Sequence, residues 1–192
     1  MSIKLIQFIE DILNKDALFI INKKNSSSEV VITEDASNSA ISEMKVDGVP
    51  DLSVAFTLDL SEFKQPSRYL DVHNDKVNKT CDFIIISLRK IDEENKTYHL
   101  DVIVGELKSS KIYKKSTVQI ENSIFFVEYI INLIKFHYEN DINIKVNYIR
   151  RAISSKVVKT AIGKNPIGTL GIKCPGNIRN KKCTIMYRAL IN

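Results

Sequence analysis

Apolar residues recur at three- and four-residue spacing near the start of the chain, at Ile3, Leu5, Ile6, Ile9, Ile12 and Leu13. With Ser2 available as N-cap, this pattern predicts a helix over 2–15. A β-rich run at 17–22, a polar turn at 23–28 and a second run at 29–33 predict two short strands, and the small polar residues of 36–42 predict a loop. After a Gly48-Val49-Pro50 turn, the alternation of Leu52, Val54, Phe56 and Leu58 predicts another strand, so that 34–79 reads as strands joined by long surface loops. The clearest pattern starts at Thr80. A run of β-branched and aromatic residues, 81–88, is followed by a charged turn at 92–95 and a second run at 98–108, which predicts a hairpin. A polar basic loop at 109–115 leads into a long helix over 116–138. Its residues Val118, Ile120, Ile124, Phe125, Val127, Ile131, Leu133 and Ile134 are apolar over a wide arc, which predicts heavy burial. A strand over 142–152 and a last strand over 184–190 complete the order helix, strands, hairpin, helix, strand. The class is therefore α/β with a mixed central sheet flanked by helices.

Length and composition narrow the field further. At 192 residues, 44% hydrophobic and 27% charged, with 6 Gly and 4 Pro, the chain is a folded domain and not a low-complexity or disordered segment. Glu10 and Asp11 interrupt the first apolar stretch, and no small-residue cleavage site follows, so no export signal is read there. The longest apolar run, 124–136, contains Glu128, Asn132 and Lys135 and falls short of the roughly 20 apolar residues of a membrane span. Cys81, Cys174 and Cys183 are odd in number and lack C-x-x-C spacing. That count favours reduced thiols in a cytoplasm over a disulfide framework or a zinc site.

The formal charge of +5 conceals an asymmetry. Residues 1–107 hold 12 basic and 19 acidic residues, a balance of −7, while 108–192 hold 16 basic and 4 acidic, a balance of +12. A half-chain this basic is the electrostatic footprint of a phosphate-backbone partner, so nucleic acid is the expected ligand. Within it, Lys111, Tyr113, Lys114, Lys115, Arg150, Arg151, Lys156 and Lys164 are the expected contacts, Tyr113 by stacking on a base or touching a phosphate. His73, His99 and His137 share no ligand spacing, no nucleophile is paired with a histidine, and the glycines of 163–168 lack the spacing of a phosphate-binding loop.

The chemistry concentrates in the hairpin. Pairing positions whose numbers sum to 188 sets Asp82 directly across from Glu106, on one face, with Cβ atoms roughly 5 Å apart. Lys108 shares that face, and Leu107 points the other way. Two carboxylates this close repel unless a cation lies between them, and hard oxygen ligands suit Mg²⁺. A lysine beside such a centre can orient a water, and hydrolysis of a phosphodiester is the natural reaction. The same residues also allow a structural reading, a cross-strand ion pair of Lys108 with Glu106 or Asp82. Ser116-Thr117-Val118-Gln119 fits a capping box, and Glu10 fits the exposed face of its helix.

Asp82 at the head of one strand, Glu106-Leu107-Lys108 ending the next, then a basic loop and a long helix with Gln119 in its first turn resemble the PD-(D/E)XK nuclease superfamily, over about residues 80–150. The resemblance implies a restriction-endonuclease-like fold formed by one nuclease-like domain over 1–192, with its core motifs at 80–150 and a basic C-terminal segment at 151–192. It implies a Mg²⁺ site, with Mn²⁺ as a substitute, made by Asp82, Glu106 and the backbone carbonyl of Leu107, with Glu10 as a further acid. It also implies Lys108 as the residue positioning the attacking water and Gln119 as an additional catalytic-site residue. The expected activity is that of a cytoplasmic nuclease with no membrane partner, acting on DNA in preference to RNA, in restriction or antiphage defence. Two symmetry-related sites for double-strand cleavage point to a homodimer. The alternative is a subunit of the same fold that binds nucleic acid or protein and cuts only with a partner, or never.

Overall fold

The computed structural model describes residues 2–24, 27–34, 39–60, 74, 76–77, 79–108, 114–138, 142–154, 170–173 and 181–192. After α1 (Ser2–Ile12) and a 3-10 turn (Lys15–Ala17) come β1 (Leu18–Phe19), β2 (Ile21–Lys23), β3 (Ser28–Thr33), β4 (Glu43–Val49) and β5 (Ser53–Phe56). Next come β6 (Phe83–Asp92), β7 (Thr97–Lys108), α2 (Lys114–His137) and β8 (Asn143–Ser154). β9 (Leu170–Lys173), β10 (Lys182–Met186) and α3 (Tyr187–Ile191) end the chain. The predicted hairpin and both predicted helices are present, but α1 ends at Ile12, short of the expected residue 15, and α2 starts two residues ahead of the expected Ser116.

Two sheets form. One has six strands in the order β1-β5-β6-β7-β8-β9, antiparallel up to β7 and parallel from β7 to β9, with α2 as the crossover between β7 and β8. The other has four strands in the order β10-β4-β3-β2, in which β10 runs parallel to β4. The α/β class with mixed sheets holds. The expectation of a sheet flanked by helices needs correction, because α1 and α2 cover one face of the large sheet and the small sheet with α3 covers the other.

This sandwiching accounts for the unbroken apolar runs of the central strands. Ile84, Ile86, Leu100, Val102 and Val104 pack beneath α1 and α2, with Ile9, Ile120, Ile124, Val127 and Ile134 above them. Phe83, Ile85, Ile103, Leu107, Ile149 and Ile153 face the other way, onto Val30, Ile32, Met44, Val46 and Ile185 of the small sheet. A strand covered on both faces has no polar side to alternate with, so β6 and β7 read as continuous hydrophobic segments. β5 is buried at all four positions for the same reason.

Two local expectations change. Gly48 belongs to β4 and does not open a turn: it sits at φ 77 where the β3–β4 register shifts, so that Ser28 faces Val49 while Glu29 faces Asp47. One extra residue on one strand is a β-bulge, and glycine takes its positive φ without strain. The last expected strand is cut short, because Tyr187 onwards is helical. Cys81 is a free buried thiol, whereas Cys183 is disulfide-bonded to a partner outside the described residues, a correction to the expectation of reduced thiols throughout. An odd total does not exclude one close pair. Among the described residues, no helix is long and apolar enough to cross a membrane.

Candidate active site

The hairpin register is the predicted one. Phe83 pairs with Gly105 and Ile84 with Val104, and the ladder ends there, with Asp82 in a bend immediately before β6 and Glu106 one residue further along β7. The sum of 188 persists to Leu88–Leu100 and then shifts by one through Arg89, ahead of a turn in which Lys96 takes φ 46. A bulge at the far end of the ladder leaves the pairing at the Asp82 end unaltered. Even-numbered positions of β6 and β7 face the helices, so Glu106 belongs to the helix-covered side and Leu107, buried at 6% exposure, to the other, while Asp82 lies in the bend before β6, next to Cys81 of the helix-side core.

Both carboxyl residues are buried, Asp82 at 7% and Glu106 at 2% exposure. The Leu107 backbone N–H donates a hydrogen bond to Asp82 Oδ2, so the carboxylate continues the ladder where a backbone carbonyl would otherwise stand. That bond fixes the orientation of the Asp82 side chain. Between these carboxylates and the core, Cys81 is held as a neutral thiol. Burial pushes its pKa up, the charges of Glu106 and Asp82 add to that, and its Sγ donates to the Phe83 carbonyl at 3.3 Å. It is no nucleophile.

The segment entering Asp82 is fastened to α2 by three side chains. Gln119 Nε2 donates to the Thr80 carbonyl at 3.0 Å, and Ser123 Oγ accepts from the Cys81 N–H at 2.9 Å while donating to the Gln119 carbonyl. Asn122 Nδ2 donates to the carbonyls of Lys76 and Lys79. The capping-box reading of Gln119 is therefore corrected: Ser116 lies inside the helix, fully buried, and the Gln119 amide points at residue 80. Gln119 acts as a positioning residue, holding the strand entry that presents Asp82. Asn122 and Ser123 escaped the sequence reading, although polar residues at i, i+3 and i+4 on an otherwise apolar helix are the signal that a neighbour needs hydrogen bonds.

Asp82 also lines a cavity of about 470 Å³ whose rim carries Asp16, Glu34 and Asp59 with Thr33 and Thr57. Such a rim attracts cations and repels a bare phosphate. Glu10 sits half-buried on α1, and its carbonyl accepts from Lys15 Nζ. Among the described residues, no three His, Cys, Asp or Glu side chains converge as a metal cluster. Lys108 ends β7 opposite Ser154 and is described by its backbone alone.

The expected nucleic-acid contacts divide. Lys111, Tyr113, Lys156 and Lys164 lie outside the described residues, and Lys114 and Lys115 are the first two backbone positions of α2. Arg150 and Arg151 both make contacts within the fold. Arg150 faces α2 and clamps Glu121, with Nε to Oε1 at 2.6 Å and Nη2 to Oε2 at 3.5 Å. Arg151, 6% exposed, points to the opposite face, where Nε donates to the Leu190 carbonyl at 2.5 Å and Nη1 to the Arg150 carbonyl at 3.1 Å. Burial lowers its pKa. Arg151→Ala is expected to cost about 2–4 kcal/mol in urea denaturation, because buried carbonyls lose their donor and a cavity opens. The salt dependence of any DNA binding should stay unchanged, whereas a true phosphate contact would lower the slope by about one. A reduced slope at full stability would refute this assignment.

Comparison of the chain with family models, with curated proteins and with solved structures finds no match.

Proposed function

We propose that this chain hydrolyses phosphodiester bonds in nucleic acid, DNA in preference to RNA, with the help of a divalent metal. The observation that supports the reading is the burial of two carboxyl residues where the β6–β7 ladder ends, Asp82 bonded by the Leu107 N–H and Glu106 just before it in β7, with Asp82 lining a carboxylate-rimmed cavity. The donor set fits Mg²⁺ or Mn²⁺: hard carboxylate oxygens from two strands, with the Leu107 carbonyl between Glu106 and Lys108 as a third oxygen. When bound, such an ion supplies Lewis-acid stabilisation of the charge that develops on the scissile phosphate.

The remaining work belongs to the chain's own groups. Asp82 is held by the Leu107 N–H and by the α2 contacts to residues 80 and 81, so its carboxylate is oriented before a ligand arrives. Glu106 is buried near the end of β7, where it pairs with Ala152 of β8. Lys108, two residues further along the strand, would orient the attacking water. The basic half of the chain would attract the polyanion that the acidic rim alone would repel. A chain of this kind fits restriction or antiphage defence.

One observation favours a second reading. The Leu107–Asp82 hydrogen bond also serves as a purely structural end to the β6–β7 ladder, in a protein that binds nucleic acid without cutting it. The deciding assay offers plasmid, linear duplex, single-stranded DNA and RNA to the full chain with Mg²⁺, Mn²⁺ or chelator. Metal-dependent cleavage is expected. Salt-sensitive binding without cleavage would move the chain to the class of partner-dependent subunits, and neither would leave Asp82 and Glu106 as structural groups.

A further inference from the structure

α2 carries more apolar surface than its own core uses. Ile120, Ile124, Val127, Ile130, Ile131 and Ile134 are buried against the large sheet. On the opposite side, Phe125 is 64%, Tyr129 57% and Phe136 75% exposed, with exposed Asn132 completing the row. The spacing 125, 129, 132, 136 is four, three, four, the seam of a two-helix coiled coil. Half-buried Phe126 and Leu133 flank the seam on one side, and Glu128 and Lys135 flank it on the other.

We propose that this seam docks on the same seam of a second copy of the chain, with the two α2 helices antiparallel about a two-fold axis near residues 130–131. The flanks decide the occupant, because they are complementary to themselves in that orientation alone. Antiparallel pairing sets Phe125 against Phe136 of the other copy and Tyr129 against Asn132. It brings Glu128 beside Lys135 twice, once on each side of the axis, and Phe126 beside Leu133 on the other flank. A parallel pairing would oppose Asn132 to Asn132 and set Glu128 against Leu133. The Tyr129 hydroxyl and the Asn132 amide near the centre give the pair a polar layer that specifies register. Three rings of roughly 150–250 Å² each, exposed to these extents, present on the order of 400 Å² per copy. Two such faces bury on the order of 800 Å² in all, about half a standard interface, so the dimer should be weak and dissociate in the micromolar range. The inference is independent of the nuclease reading.

Sedimentation velocity on the full chain, over two decades of concentration spanning the micromolar range, tests it. The weight-average mass should rise from 21.9 kDa towards twice that value. Tyr129→Glu should remain monomeric, with an unchanged circular dichroism spectrum because the position is on the surface. Glu128→Lys and Lys135→Glu should each weaken the dimer about tenfold, and the two together should restore it, since the exchange rebuilds the same pair. A wild type that stays monomeric, or a dimer indifferent to Tyr129→Glu, would overturn the proposal. So would failure of the charge exchange to restore association.

Discussion

Glu106→Gln is expected to abolish metal-dependent cleavage while leaving the protein folded. The amide keeps the size and shape of the carboxyl group inside a packed hairpin where Glu106 is 2% exposed, so the substitution opens no cavity. What it removes is the negative charge that would hold a divalent cation opposite Asp82. Loss of several kcal/mol of electrostatic stabilisation of the transition state corresponds to a rate about 10³-fold lower, at roughly 1.4 kcal/mol per decade. Asp82→Asn should behave alike, because its side-chain carbonyl can still accept from the Leu107 N–H and end the ladder. Lys108→Ala should lose about 10²- to 10⁴-fold, the span typical of a group that handles the proton of the attacking water. Rates would be measured on the best substrate of the wild type, with thermal melts beside them and titration of Mn²⁺ as an independent readout. Loss of both cleavage and Mn²⁺ binding at an unchanged melting temperature is the expected pattern. If Glu106→Gln cut as fast as the wild type, the Asp82–Glu106 pair would not be the reaction centre. If Asp82→Asn chiefly lowered the melting temperature, the ladder-ending role would be the whole role.

The part of this arrangement legible in the sequence is the part encoded locally. A hairpin announces itself by two β-branched runs around a polar turn, and a single register then fixes who opposes whom, so the pairing from Phe83–Gly105 to Leu88–Leu100 followed from counting. The small sheet was not legible because its closing pair, β10 with β4, joins residues about 140 positions apart and leaves no short-range pattern. Arg150 and Arg151 illustrate a sign that was present and not used. Adjacent residues of a strand point to opposite faces, so the two could not both lie on one nucleic-acid surface. One met Glu121 on α2 and the other met the end of α3. The wide apolar arc of α2 misled in the opposite direction, because composition cannot distinguish a face buried in its own fold from one such as Phe125 and Phe136.

Gly105→Ala is expected to destabilise the protein by about 2–3 kcal/mol, the balance of a steric cost and a smaller entropic gain. A Cβ at residue 105 would fall well inside van der Waals contact with the ring of Phe83, its partner directly across the ladder. Phe83 is fully buried between the two sheets, among Ile85, Ile103 and Ile153, and has no open space into which to swing. For a chain of this length the melting temperature should fall by roughly 5–10 °C. Replacing the ring should relieve the clash. Phe83→Leu alone leaves a cavity and costs about 1–2 kcal/mol, yet in the Gly105→Ala background it should recover stability, a coupling of at least about 1 kcal/mol. Simple additivity of the two substitutions would show that the ring does not rest on the glycine. The pair also bears on chemistry, because Phe83 follows Asp82 and Gly105 precedes Glu106 in the chain. A ring seated on a glycine admits one register only, and a displaced ring would shift the two carboxylates relative to each other. Gly105→Ala should therefore reduce cleavage by more than its loss of folded protein at the assay temperature, and the double variant should regain both together.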